Sequence, residues 1–402
     1  MAIQFQDIEA AAKRIAGRIV ESPCPASIPL SEATGLTVFC KLEYLQRTGS
    51  FKERGALNAL LLLSAAQRKA GVIAASAGNH ALGVAYHAQI LDIPATVVMP
   101  RFAPLTKVMN CRRLGATVVL EGANIAEAKS RADEIAAAQG LSYINGYDDP
   151  AIIAGQGTIG LEIVAQVPQL DAIIVPIGGA GLIAGVALAL KTLKPKVKII
   201  GVEPERAASF TAALAAGKPV AIEMKPTLAD GLSVPKVGEN AFRIARDLVD
   251  RTVLVREHDI ALAVLRLMEL EKAVVEGAGA APLAACLAGL VPELKGKNVV
   301  LPLCGGNIDL NTLGRVIERG LASDGRLCRF TATISDRPGG LARFAGLIAE
   351  EGASVVDIAH DRAFANEDIN TVKVHCVVET RDADHVFALR DRLQREGFEV
   401  GD

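Results

Sequence analysis

The sequence predicts an α/β protein: a mainly parallel sheet with helices on both faces, followed by a small α+β module. Three observations carry this. Short β-branched runs recur at Thr37-Val38-Phe39, Thr96-Val97-Val98, Thr117-Val118-Val119, Ile173-Ile174-Val175, residues 197–202 and Val299-Val300-Leu301. Ala- and Leu-rich stretches with helical spacing lie between them, and such alternation favours parallel strands joined by crossover helices. Half of the residues are hydrophobic, yet aromatic side chains make up only 4%, with 37 glycines and no Trp. That balance suits α/β layers better than a β-sandwich.

The elements follow in order. Residues 124–139 are Ala-rich and stop at Gly140, the pattern of a helix ended by a C-terminal glycine. Residues 172–190 are uncharged, but Pro176 and the glycines at 178, 179, 181 and 185 interrupt the run. It therefore reads as strand, glycine loop and helix, and not as a membrane span. Near residue 320 the character changes, and Gly320-Leu321-Ala322-Ser323-Asp324-Gly325 reads as a linker. Beyond it, strands at 330–334, 354–359 and 371–378 and helices at 340–350 and 382–396 predict a βαββαβ unit. The 402 residues thus divide into a body, 1–320, and a module, 326–402.

A net charge of −2 gives no electrostatic reason to expect nucleic acid. The seven cysteines are scattered and never form CxxC, which points to a reducing compartment and no zinc site. The first twenty residues carry acids and lack an apolar block beside a cleavage site, so no secretory signal is expected and the cytoplasm is the predicted location.

Four constellations carry chemistry. In Ser50-Phe51-Lys52-Glu53-Arg54-Gly55-Ala56, a turn ending in Ser places Lys52 in a first helical turn, where the helix dipole disfavours a cation. Such a lysine is usually an exposed surface residue, but an amine held among apolar neighbours stays partly neutral and attacks carbonyls. Ser76-Ala77-Gly78-Asn79-His80 follows a strand and opens a helix. Its backbone N–H groups suit a substrate carboxylate and Asn79 suits a phenolic oxygen, although an ordinary turn with a packed His80 fits equally.

Gly178-Gly179-Ala180-Gly181-Leu182 follows an apolar strand, and small residues there let N–H groups converge on a phosphate at a helix N-terminus. Gly179, Gly181 and Ala184 also satisfy G-x-G-x-x-A, with Glu203 placed 22 residues beyond Gly181, a weak dinucleotide fingerprint. In Cys304-Gly305-Gly306-Asn307, a thiol fixed at a strand end suits a ring nitrogen or is simply a buried cysteine.

Taken in order, SFKERGA, SAGNH, GGAGL and CGGN resemble the threonine dehydratases, or threonine ammonia-lyases, of the pyridoxal-phosphate fold type II family that includes the tryptophan synthase β-chain. The resemblance spans residues 5–320. Gly155-Gln156-Gly157-Thr158-Ile159 and Gly201-Val202-Glu203-Pro204 extend it, and the tail with Asp336-Arg337-Pro338-Gly339-Gly340-Leu341 looks like an ACT regulatory domain.

The resemblance implies a two-subdomain body with a small subdomain at about 46–145, and pyridoxal 5'-phosphate as cofactor. It implies that Lys52, beside Phe51, carries the cofactor covalently, that Gly178, Gly179, Ala180, Gly181 and Leu182 hold its phosphate, that Asn79 contacts the ring hydroxyl, and that Cys304 faces the ring nitrogen. Ser76, Ala77, Gly78, Asn79 and His80 would bind the substrate. Threonine would be dehydrated and deaminated to 2-oxobutanoate, and serine to pyruvate. Some relatives bind a cation through positions matching Glu203, the carbonyl of Ala207 and Ser209, a hard oxygen set suited to Mg²⁺, Ca²⁺ or a monovalent ion. Serine racemases of this family carry Ser at the position of Ala77, which has no proton to offer, so elimination with little racemisation is expected.

The tail would bind an effector, isoleucine or valine if the enzyme serves isoleucine biosynthesis, and would build a homotetramer or dimer. Other readings are a dehydratase for threo-3-hydroxyaspartate and a non-catalytic amino-acid sensor, against which the intact Lys52 argues.

Overall fold

The computed structural model describes residues 3–361 and 370–402. The chain divides into two compact units, Met1–Leu310 and Asn311–Asp402.

The first unit holds two sheets. In the larger, the strands run Ala26–Ser27, Thr37–Lys41, Asn298–Pro302, Ala172–Pro176, Lys198–Pro204 and Arg251–Val255 across the sheet, with only the first pair antiparallel. Successive side chains of a strand face opposite sides. Ile173 and Val175 join a core with Ile199, Val300 and the helices Pro150–Gln166 and Gly181–Leu193. Ile174, Ile200 and Leu301, on the other face, are equally buried, and the helix Gly277–Leu287 packs there. Both faces are therefore covered, which is why these strands read as unbroken apolar runs.

The smaller sheet is wholly parallel, in the order Thr117–Leu120, Ala95–Met99, Val72–Ala75, Ser142–Tyr143. Val97 and Met99 pack with Ala81 and Ala85 of the helix Asn79–Ile90, while Ile73 and Val98 pack with Ala128, Ala132 and Ile135 of the helix Ile125–Gln139. Asn124 opens the latter helix by accepting from the N–H groups of Ala126 and Glu127, both at 3.0 Å. Gly140 closes it at φ 65°, as its sequence predicts. The helix Lys52–Leu61 lies between Pro150–Gln166 and Asn79–Ile90. Its approach is so close that a Cβ on Gly155 would stand 2.6 Å from Gly55 Cα.

The second unit is a βαββαβ fold with an antiparallel sheet ordered Ser354–Asp361, Thr371–Glu379, Leu327–Ser335, Glu399–Gly401. Phe330, Ile334, Val374 and Cys376 of the sheet pack against Phe344 and Ile348 of the helix Gly340–Glu350 and Leu389 and Leu393 of the helix Ala383–Arg395. The division falls ten residues before the expected boundary at 320. Residues 320–323, read as linker, continue the helix Leu310–Ser323. Leu313, Val316 and Gly320 form its buried stripe at i, i+3 and i+7, and this apolar face outweighs the turn preference of Gly320. Residues 172–190 form a strand and the start of a helix, and among the described residues no helix is long and apolar enough to cross a membrane.

Candidate active site

The segment 49–51 runs antiparallel to 304–306. Phe51 N–H donates to the Cys304 carbonyl at 3.0 Å, Gly306 N–H donates to the Gly49 carbonyl at 2.9 Å, and Ser50 bridges to Gly305. This backbone contact joins two motifs some 250 residues apart and sets Lys52, the first residue of its helix, near Cys304. Lys52 Nζ donates to the Gly146 carbonyl at 2.7 Å and lies 5.1 Å from the Phe51 ring centroid. Burial pulls the ammonium down from the ordinary lysine value to about 8, against the opposing pull of Cys304 and Glu276.

Gly146 also joins Lys52 to the glycine loop. Its neighbour Tyr147 packs so tightly on Gly179 and Gly181 that a Cβ at 179 would enter the Tyr147 ring and one at 181 would strike its carbonyl. Between these glycines Ala180 takes φ 70°, a left-handed conformation uncommon outside glycine, and Gly181 opens the helix Gly181–Leu193. The N–H groups of that helix's first turn, together with its dipole, are suited to an anion in the same neighbourhood as the lysine amine. Ala180 and Leu182 belong to the core cluster that also holds Cys304 and packs Phe51.

The Ser76–His80 segment divides by burial. Ser76, Ala77, Gly78 and Asn79 are partly exposed, Gly78 N–H donates to Ser76 Oγ at 3.2 Å, and a Cβ at Gly78 would meet only open space. Asn79 opens the helix Asn79–Ile90. His80 is enclosed: its Nε2 lies 2.8 Å from the Ile144 carbonyl, so this nitrogen carries the hydrogen, and its ring lies beside Gly146. Burial and the Lys52 charge push His80 down to about 4, and it is neutral at physiological pH. Cys304 Sγ donates to the Pro302 carbonyl at 3.3 Å. Burial raises its pKa well above the ordinary thiol value, leaving a neutral S–H.

Glu203, Ala207 and Ser209 form a separate group. Glu203 Oε1 accepts from Phe210 N–H at 2.7 Å, and Oε2 accepts from Thr211 N–H at 2.9 Å and Thr211 Oγ1 at 2.6 Å. This carboxylate caps the helix Ser209–Ala216. Among the described residues no cluster of three or more His, Cys, Asp or Glu side chains is arranged to hold a metal ion.

Three residues here escaped the sequence reading, Gly146, Tyr147 and Glu276, and a fourth, Asn307, stood in its motif without a role. Asn79 Nδ2 donates to Glu276 Oε1 at 2.7 Å, and Asn307 Nδ2 donates to Asn79 Oδ1 at 2.9 Å. Burial, and next the charge of Asp230, raise Glu276 to about 7. A signal for Glu276 was present, since it is the only charged residue between Lys272 and Glu293 in an apolar, glycine-rich run. A lone acid there is a buried acid with a partner.

With this geometry in view, the comparisons are consistent. The sequence model of pyridoxal-phosphate dependent enzymes matches residues 15–305. The L-threonine ammonia-lyase of Thermotoga maritima is 45% identical over 398 residues, 99% of each chain. Among solved structures, the processed form of threonine deaminase isoform 2 from Solanum lycopersicum is 40% identical, with a TM-score of 0.74 over 78% of this chain and 91% of that one. Maize serine racemase is 35% identical, with a TM-score of 0.75 over 80% of this chain and 99% of that one. The buried lysine beside the glycine loop agrees with these matches, and they lead to one conclusion: the chain belongs to the pyridoxal-phosphate dependent enzyme family.

Proposed function

We propose that this enzyme is a threonine ammonia-lyase that converts L-threonine to 2-oxobutanoate and ammonia, with L-serine as a second substrate giving pyruvate. One observation carries the reading: the Lys52 amine rests on Gly146 while the adjoining Tyr147 packs on the glycine loop. An amine and an anion cradle joined across two consecutive residues fit an aldehyde and a phosphate on one small ring. Thr48 Oγ1 and Ser50 Oγ, buried beside Lys52 without a hydrogen-bond partner, are further polar atoms suited to a bound polar group. When bound, pyridoxal phosphate supplies an aldehyde for the amine and an electron-withdrawing ring that acidifies the substrate Cα–H bond.

The chain's own residues then divide the work. The first-turn N–H groups of Gly181–Leu193 and the loop 178–180 bind the phosphate. Asn79 would donate to the ring oxygen. Cys304, a neutral thiol, would lie toward the ring nitrogen and add no charge there. The N–H groups of Ala77 and Asn79, at the start of a 12-residue helix, would bind the substrate carboxylate, since those of Ser76 and Gly78 donate to the Val98 carbonyl and to Ser76 Oγ. The Lys52 amine would accept the Cα proton of the substrate. His80, locked to Ile144 and neutral, shapes the floor under Gly146.

The test is an absorption spectrum of the purified protein, then 2-oxoacid assays on threonine, serine and threo-3-hydroxyaspartate. A yellow protein that turns over threonine fastest is expected. A colourless protein that gains no colour with added pyridoxal phosphate sinks the reading.

Two expected results follow. Lys52 is protonated below about pH 8, and only the neutral amine attacks an aldehyde. Cofactor capture by the cofactor-free protein should therefore accelerate as pH rises, nearly tenfold per unit well below pH 8, and level off above it. Stopped-flow absorbance measures this, and a flat profile from pH 6 to 9 contradicts it. Ala77 offers no proton on the face opposite Lys52, so D-serine formed from L-serine should fall far below pyruvate formed. Chiral chromatography with equal rates of the two contradicts the assignment.

The C-terminal βαββαβ unit is an ACT-type module that takes an amino-acid effector and assembles a dimer or tetramer. Addition of isoleucine or valine should shift rate or melting temperature. No change in either identifies the unit as an assembly module alone.

A further inference from the structure

Asn79 does not stand alone in the site, and the polarity of its surroundings is set from one end by a backbone carbonyl that can only accept. Thr48 contributes a carbonyl, which accepts from Asn307 Nδ2 at 2.6 Å. That pins the Asn307 carboxamide with its NH₂ toward Thr48 and Asn79, so Asn79 must turn its Oδ1 to Asn307. Asn79 Nδ2 then faces Glu276, whose carboxyl accepts from it and from the Asn307 backbone N–H. Glu276 is held in turn, since its own N–H donates to the Gly305 carbonyl at 2.9 Å.

Two glycines of the site motifs admit this arrangement. A Cβ at Gly49 would stand 2.6 Å from Asn307 Oδ1, and a Cβ at Gly305 would stand 2.5 Å from Glu276 Oε1 and 3.1 Å from Asn79 Nδ2. The glycines of the TGS and CGG segments thus leave room for side chains from two other parts of the chain.

An Asn carboxamide has two N–H donors and one oxygen. Here the oxygen is engaged by Asn307 and one N–H by Glu276, which leaves a single N–H free. We infer that Glu276 and Asn307 are positioning residues that orient Asn79 as a one-hydrogen donor toward the ring oxygen of the cofactor. The inference rests on the proposed function and extends it to two residues that touch Asn79 from opposite sides. An Asn79 released from them rotates, and presents its oxygen to an oxygen as readily as its nitrogen.

The test measures pyridoxal 5'-phosphate binding to the full-length protein by equilibrium dialysis, and the absorption maximum of the bound cofactor. Glu276→Ala and Asn307→Asp should each raise Kd about tenfold, the worth of one well-placed hydrogen bond, and shift the absorption maximum. Asn307→Asp is isosteric, so it preserves packing while replacing the donor by an acceptor. Glu276→Gln, which retains an acceptor for Asn79, should restore most of the affinity and the wild-type maximum. Were the two residues merely structural, the cofactor-free protein would melt earlier while affinity and absorption maximum stayed wild-type, and that result overturns the inference. If Glu276→Ala fails to fold, Asn307→Asp read against Glu276→Gln decides by the same two readouts. A wild-type protein that binds no cofactor would instead sink the proposed function.

Discussion

Lys52→Ala is expected to yield a folded protein without detectable conversion of threonine and with cofactor that passes through gel filtration unbound. Two losses combine. The amine that anchors the cofactor is gone, and so is the base for the Cα proton, a contribution of roughly 10²–10⁴-fold by itself. Borohydride reduction followed by peptide mass analysis should label the Lys52 peptide in the wild type and nothing in the variant. Stability should not suffer. The folded-state pKa of Lys52 is lowered to about 8 from 10.5, so below pH 8 burial of the charged amine opposes folding, and that penalty fades as pH rises from 8 toward 10.5. At pH 7 the cofactor-free variant should therefore melt no lower than the cofactor-free wild type. Turnover by Lys52→Ala at the wild-type rate would end the mechanism.

Arg54→Ala is expected to cause the largest loss of stability of any single substitution considered, about 3–5 kcal/mol. Arg54 and Glu43 are fully buried, paired at 2.7 and 2.8 Å. Arg54 also binds Glu162 at 2.5 and 2.8 Å, and Glu162 is shared with buried Lys41 at 2.5 Å. Removing the guanidinium leaves two carboxylates and one lysine in a site built for balanced charge. Burial would raise the Glu43 pKa, but the charge and hydrogen bonds of Arg54 outweigh it and hold the carboxyl below the usual range. A carboxyl depressed in the folded state contributes stability at pH values above its unfolded pKa, and that contribution is lost as pH falls through the lower folded value. The wild type should therefore weaken in acid, and Arg54→Ala should show a smaller acid-dependent loss from an already lower plateau. Urea titrations across pH measure both. A change under 1 kcal/mol would mean the cluster relaxes without its arginine. Since Arg54 follows Lys52 by two residues on one helix, activity should fall along with stability.

Much of the architecture was open to local reading. The β-branched runs named above lie in strands, Val197 excepted, and those at the centre of the larger sheet are apolar at every position because both faces are buried, a pattern visible over three or four residues. The helix ending at Gly140 was equally plain, since a left-handed C-terminal residue is nearly a glycine privilege. The linker at residue 320 misled because a glycine favours a turn only when no apolar stripe continues past it. Helix Leu310–Ser323 carries such a stripe.

The site divides in the same way. Lys52, the 178–182 loop, Asn79 and Cys304 stood out because each sits at a helix start or strand end with residue types that make poor generic surface. His80 and Glu203 have the right chemistry, yet His80 Nε2 is already engaged by the Ile144 carbonyl and the Glu203 carboxylate by the first turn of the helix Ser209–Ala216. No spacing rule reports whether a side chain is already engaged.

What the sequence by itself determined was the set of elements, their α/β alternation and the groups capable of chemistry, because hydrophobic period, caps and glycine loops act over a few residues. Only the tertiary structure decided that segment 49–51 lies along 304–306, that Gly146 and Tyr147 join Lys52 to the 178–182 loop, and that Glu276 and Asn307 grip Asn79. These are contacts between residues up to about 250 positions apart. They exist because burial of apolar faces brings chain ends together, and polar groups enclosed in that process must then find partners wherever the packing has put them.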